Sequence, residues 1–138
     1  MTTTKKKKVA REVAEAEFDR MCTLRRVNID PEDMTADEYE SLLDVKRKVV
    51  RVIERGELVV NEEGDPVYTP PVPGAKSITF YKPTGATFMA MDGNDGNQAR
   101  LIRMITDMTR SAKGEVAKLE APDYVVCSTL ANLFLAGR

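Results

Sequence analysis

Residues 70–74 read Pro-Pro-Val-Pro-Gly, and no other stretch limits the fold so sharply. Each proline lacks a backbone N–H and locks one dihedral, so neither a helix interior nor a central strand can run through Pro70, Pro71 and Pro73. The segment is predicted to be a stiff connector, and it is the one candidate boundary between two halves of the chain. What the chain folds into is then decided by the elements on either side.

On the N-terminal side, residues 10–24 carry Val13, Ala14, Ala16, Phe18, Met21 and Cys22 as the less polar positions of a helix. The pattern is only moderately amphipathic, which predicts partial docking. The polar stretch from Asn28 to Met34 contains Pro31 and breaks the chain. Thr35 followed by Glu38 has the spacing of a capping box, in which each side chain satisfies the other residue's amide. Tyr39, Leu42, Leu43, Val49, Val50 and Ile53 then recur at helical spacing up to a stop at Gly56. Asp37, Glu38, Glu40 and Asp44 crowd this helix, where the helix dipole and neighbouring cations account for them without a catalytic role. Residues 57–70 read as two short strands around a turn at 61–65, a hairpin that needs support from elsewhere.

On the C-terminal side, Ile78 and Phe80 share one face of a short strand and Thr79 and Tyr81 the other. Lys82 to Gly85 turn the chain, with Gly85 available for a positive φ. Leu101, Ile102, Met104, Ile105 and Met108 define an amphipathic helix over 97–109. Residues 111–119 form a shorter helical or turn segment. A final helix starts near Ala121, with Pro122 in its first turn and Val126, Leu130, Leu133 and Phe134 as the buried stripe. The fold class is therefore α+β: a mainly helical small domain with a short β-hairpin or small antiparallel sheet.

With 138 residues, 42% of them hydrophobic and 31% charged, the chain fits one folded domain. The net charge of −1 hides an asymmetry, because Lys5 to Lys8 and Arg11 put five positive charges in the first eleven residues and leave −6 for the rest. Residues 1–9 are expected to be a flexible basic arm and residues 10–138 the domain. Without interleaved aromatic residues the arm does not make a nucleic-acid platform. No apolar run is long enough to span a bilayer, and Met1 to Lys8 lack the apolar core of a secretory signal, which places the protein in the cytoplasm.

Histidine is absent, which removes the usual general base and the commonest transition-metal ligand. Cys22 and Cys127 match no metal-ligand spacing and are expected to be reduced packing residues. The loop from Asp92 to Arg103 tempts comparison with a calcium loop, but its fifth, sixth and twelfth positions are Gly96, Asn97 and Arg103, where a ligand, a glycine and a bidentate Glu are required. It is read as a helix start in which Asn94 or Asp95 caps and Gly93 and Gly96 reverse the chain. Residues 73–77, Pro-Gly-Ala-Lys-Ser, lack the spacing of a phosphate loop and precede a strand instead of opening a helix. No catalytic residue, metal ligand or cofactor is assigned. Seven methionines, Met89, Met91, Met104 and Met108 among them, suggest an adaptable binding surface set against ordinary core filling.

Residues 78–135 form an ordered set: a strand followed by KPTGA, a helix ending in ITDMTRSA, the segment GEVAKLEAPDY and a terminal apolar helix. As a set they resemble the small tail assembly chaperones of long-tailed bacteriophages, the family of tail protein E and its Mu-type versions. The resemblance implies a non-enzymatic protein that is not retained in the virion. In the host cytoplasm it would bind the tape measure protein, keep it soluble and promote polymerisation of the tail tube protein around it. Homo-oligomers are expected. A candidate contact surface is Leu101, Met104, Met108, Tyr124, Leu130 and Phe134, with burial in the chain's own core as the competing fate of each. Two other readings stand beside it: a small structural virion or tail-completion protein, and a nucleic-acid-associated phage regulator using the basic arm.

Overall fold

The computed structural model describes residues 9–93 and 96–136. The expected basic arm therefore lies outside the described residues except for Val9, whose amide donates to the Glu54 carbonyl at 2.9 Å. Helix α1 (Arg11–Leu24) turns Ala14, Phe18, Met21 and Cys22 fully inward. Those four positions fall on one stripe, so the helix docks along its length and not in part, while Val13 and Ala16 face outward.

A short 3-10 turn at Pro31–Asp33 leads into helix α2 (Ala36–Glu54). The capping box is formed: the Glu38 amide donates to Thr35 Oγ1 at 3.1 Å, and the Thr35 amide donates to Glu38 Oε1 at 2.9 Å. The C-terminal half of α2 buries Val49, Val50, Val52 and Ile53, whereas Leu42 and Val45 in its first half pack only partly against the core.

Strands β1 (Leu58–Val60) and β2 (Pro66–Tyr68) form the expected hairpin, with Leu58 opposite Tyr68 and Val60 opposite Pro66. Asn61 closes its turn by accepting the Asp65 amide on its side-chain oxygen at 2.8 Å. Support comes from β3 (Ile78–Thr79), which pairs antiparallel with β2 and completes a three-stranded sheet in the order β1-β2-β3. Pro70 to Gly74 thus bridge two strands of one sheet. They are a loop and not a boundary, and one continuous core contains residues from both sides of them, including Phe18, Ile53, Tyr68, Phe80, Ile105 and Leu130.

Helix α3 (Gly85–Ala90) follows the expected turn at Lys82 to Gly85 and was not itself expected. It is set by Thr84, whose hydroxyl accepts the Ala86 amide at 3.2 Å while its own amide donates to Thr87 Oγ1 at 3.0 Å. Gly85 is its first residue and has no positive φ. Helix α4 (Asn97–Thr109) follows, then a 3-10 turn at Val116–Lys118 and helix α5 (Ala121–Ala136). The expected caps Asn94 and Asp95 lie outside the described residues, and the position before α4 is Gly96, with φ 96° and no side-chain cap. Helix α2 packs between α1 and α5, α5 packs on α4, and α3 lies against α4. Among the described residues, no helix is long and apolar enough to cross a membrane.

Candidate functional site

The six residues nominated as a contact surface separate into two groups. Met104, Met108, Leu130 and Phe134 are buried in the core, and of these only Leu130 reaches a groove, as part of its floor. Leu101 and Tyr124 keep part of theirs: Leu101 packs against the core edge, and the Tyr124 hydroxyl donates to Gln98 Oε1 at 2.8 Å, tying α5 to the first turn of α4. The buried four share one reason, which is that the stripe giving each helix its amphipathic period is the stripe that folding consumes. Of the methionines, Met89 alone among the four singled out is widely exposed, at 74%, and Met91 is half-buried.

Apolar surface is also left open at Val13, Val59 and Val72, and between the C-terminal half of α2 and the N-terminal half of α5. There Val49, Val52, Leu58, Val125, Val126 and Leu130 line a groove of about 350 Å³. Val125 is 54% exposed within it, so the groove has an accessible apolar wall as well as a buried floor. Lys48, Arg51 and Arg55 stand along one margin. Their spacing on α2 is i, i+3, i+7, which places all three on one helical face.

The electrostatics of α2 differ from face to face. Lys46 reaches Asp19 at 3.2 Å and Arg47 reaches Asp44 at 2.9 Å, so the cations away from the groove are paired. Arg55 lies 3.4 Å from Glu57. Among the described residues, Lys48 and Arg51 meet no carboxylate. The groove is therefore an apolar trough with a cationic margin, and an anionic flank on a partner would answer that margin.

Two buried polar contacts hold its walls. The Tyr68 hydroxyl donates to Asp123 Oδ1 at 2.6 Å, anchoring the start of α5 to β2. Burial, then the Asp123 bond, push the Tyr68 hydroxyl far above its ordinary value, so it remains a donor at neutral pH. At the other end of α5 the Arg25 guanidinium stacks on Phe134 and binds Asp65. Burial draws Arg25 down to about 10, against the opposing pull of Asp65, which leaves it charged at pH 7. Burial also pushes the Cys22 and Cys127 thiols up to about 12, giving protonated packing residues and not nucleophiles.

Two other concave regions are occupied by contacts of the chain itself. The cleft between the Pro70–Gly74 loop and α4, about 640 Å³, is lined by residues already engaged: Arg110 stacks on Tyr81 at 3.8 Å, and Asp123 accepts from Tyr68. At the loop after α3, the backbone oxygens that a cation would need accept from guanidinium groups. Arg100 donates to Gly93 at 3.0 Å, and Arg103 donates to Ala90 at 2.7 Å and Asp92 at 3.2 Å. No group of three or more Cys, Asp or Glu side chains among the described residues is arranged to hold a metal.

Sequence reasoning passed over Val125, Val52, Lys48 and Arg51. Two signals pointed to them. The last helix carries apolar residues beyond its single stripe, with Val125 about 100° round the helix from Val126, and the Lys48, Arg51, Arg55 spacing marks a charged face. Against family models, curated proteins and solved structures, the chain has no match.

Proposed function

We propose that this protein is a tail assembly chaperone of a long-tailed bacteriophage. It binds the tape measure protein, keeps it soluble and promotes polymerisation of the tail tube protein, acting in the host cytoplasm as a homo-oligomer and not as an enzyme. The observation that carries this reading is the open groove between α2 and α5, because α5 ends the segment, residues 78–135, that resembles this family. A chaperone for a helical client needs apolar surface that remains accessible on a folded body, and helix-in-groove docking provides it. The groove satisfies that need through exposed Val125 and half-buried Val126, where the buried Met104 and Met108 of α4 do not.

The test is co-expression with the cognate tape measure protein, followed by size-exclusion chromatography with light scattering on the free protein and the complex. A tape measure protein that is soluble only with this partner and co-elutes with it supports the reading. If it precipitates regardless, and the present chain is recovered in purified virions, a structural tail-completion role takes its place.

A further inference from the structure

We propose that the α2–α5 groove selects amphipathic helices whose apolar stripe is flanked by Asp and Glu. The proposal rests on the groove being the partner site. The lining of α2 runs from Lys48 to Arg55, about 10 Å along the helix axis, which matches two turns of an occupant. Such a segment presents apolar side chains at i, i+3, i+4 and i+7, and the trough has room for a few of these but not for a whole folded element.

The charge pattern selects the flanks. Lys48 and Arg51 are exposed and unpaired among the described residues, whereas Lys46 and Arg47 on the same helix already have carboxylates. Complementing the helix dipole accounts for Arg51 in the last turn. It does not account for Lys48, nor for the apolar wall that the cations border. The opposite sign occurs further along the same helix. A second apolar groove of about 460 Å³, with Val27, Met34 and Leu42 in its lining, is margined by Asp33, Asp37 and Glu38. An acidic helix is thus attracted at the C-terminal half of α2 and repelled at its N-terminal half, which fixes where it seats.

The experiment uses the full chain and two fluorescein-labelled peptides that share one leucine stripe, one flanked by Glu and the other by Lys, with binding read by fluorescence anisotropy. The Glu peptide is expected to bind at least about tenfold more tightly at low salt, with the difference shrinking as salt rises. The double variant K48E/R51E changes only exposed side chains and should reverse the preference. V125D, also at an exposed position, should weaken the Glu peptide. Equal affinities for the two peptides, or a preference that survives K48E/R51E, would overturn the proposal. Its failure is separable from failure of the chaperone reading: a tape measure protein solubilised equally by wild type and V125D defeats the groove alone. Charge-selective peptide binding without solubilisation defeats the chaperone role alone.

Discussion

The Arg25 guanidinium carbon lies 3.7 Å from the centre of the Phe134 ring. The same guanidinium donates to Asp65 Oδ1 at 2.7 Å and to the Tyr81 carbonyl at 2.9 Å, and its side chain is 1% exposed. One residue thus joins the end of α1, the hairpin turn, the chain after β3 and the last helix. Stacking a weakly hydrated planar cation on an aromatic face offsets part of its desolvation, which a lysine in that place would not match. The Nε atom is buried with no hydrogen-bond partner among the described residues, so the contact is not a fully satisfied network. Phe134 is consequently a core residue whose second face holds a charge.

Removing Asp65 leaves that charge buried without its counterion. Asp65→Ala is expected to lower the unfolding free energy by about 3–5 kcal/mol, measured by urea denaturation. In a double-mutant cycle, R25M/D65L should lose much less than the sum of R25M and D65L, because it removes both charges together. Additive losses would mean that the pair is not coupled.

The Tyr68 hydroxyl and the Asp123 carboxylate, 2.6 Å apart, form another buried polar link between sheet and helix. Tyr68→Phe keeps the ring and removes the donor, so it is expected to cost about 1.5–3 kcal/mol, the range for a hydrogen bond to a charged group. D123N in the same background should cost less than it does alone. Since Asp123 sits beside Pro122 on the groove wall, Tyr68→Phe should also weaken peptide binding more than its effect on the folded fraction explains.

Stability should fall at alkaline pH. The folded values of Cys22 and Cys127, both about 12, lie above the ordinary 9.0, and that of Tyr68 lies above 10.0. A raised folded value means that the contribution is complete below the unfolded value and is lost as pH rises through the folded one. The window therefore opens near pH 9 and extends to about 12. Each thiol accounts for on the order of 2 kcal/mol by pH 11. The urea midpoint should drop between pH 8.5 and 11, and C22A/C127A should show a shallower drop. An equal slope in both proteins would remove the thiols as its cause.

How much of this was legible in the sequence depended on whether the signal was local. The Thr35–Glu38 capping box, the α2 period and the hairpin around Asn61 are local, and the structure has all of them. Pairing of β2 with β3 was not readable, because Pro70 to Gly74 look the same whether they separate two units or connect two strands. Helix α3 escaped because its cap is Thr84 with Thr87, a weaker signature than Thr with Glu. Four of the six residues nominated for contact are buried for a more general reason. Periodicity marks the face that folding buries, as at Met104, Met108, Leu130 and Phe134, whereas apolar surface left exposed, such as Val125, stands outside the period. Arg25 gave no sign at all, since a buried arginine is identified only by its partners from distant segments.

Two glycines with positive φ offer a controlled comparison. Gly64 in the hairpin turn has φ 88°, and a Cβ placed there would lie 2.6 Å from Leu24 Cβ; Gly96 before α4 has φ 96° with nothing within 4 Å. Gly96→Ala therefore meets only a backbone penalty, that of holding a Cβ at φ 96° and ψ 165°, about 1–3 kcal/mol. Gly64→Ala meets a positive-φ penalty of its own and an overlap with a side-chain carbon fixed to the helix backbone, which adds about 1–3 kcal/mol. L24A cannot relieve the closest contact, because alanine retains the Cβ, but L24G can. Thermal melts of G64A, G96A, L24G and L24G/G64A should show G64A as the costlier of the two alanine variants, with its cost smaller in the L24G background than in the wild type. Equal losses at Gly64 and Gly96 would show that the hairpin turn moves away from α1 at little cost, and that the packing of Leu24 over the turn contributes little to holding the sheet on the helices.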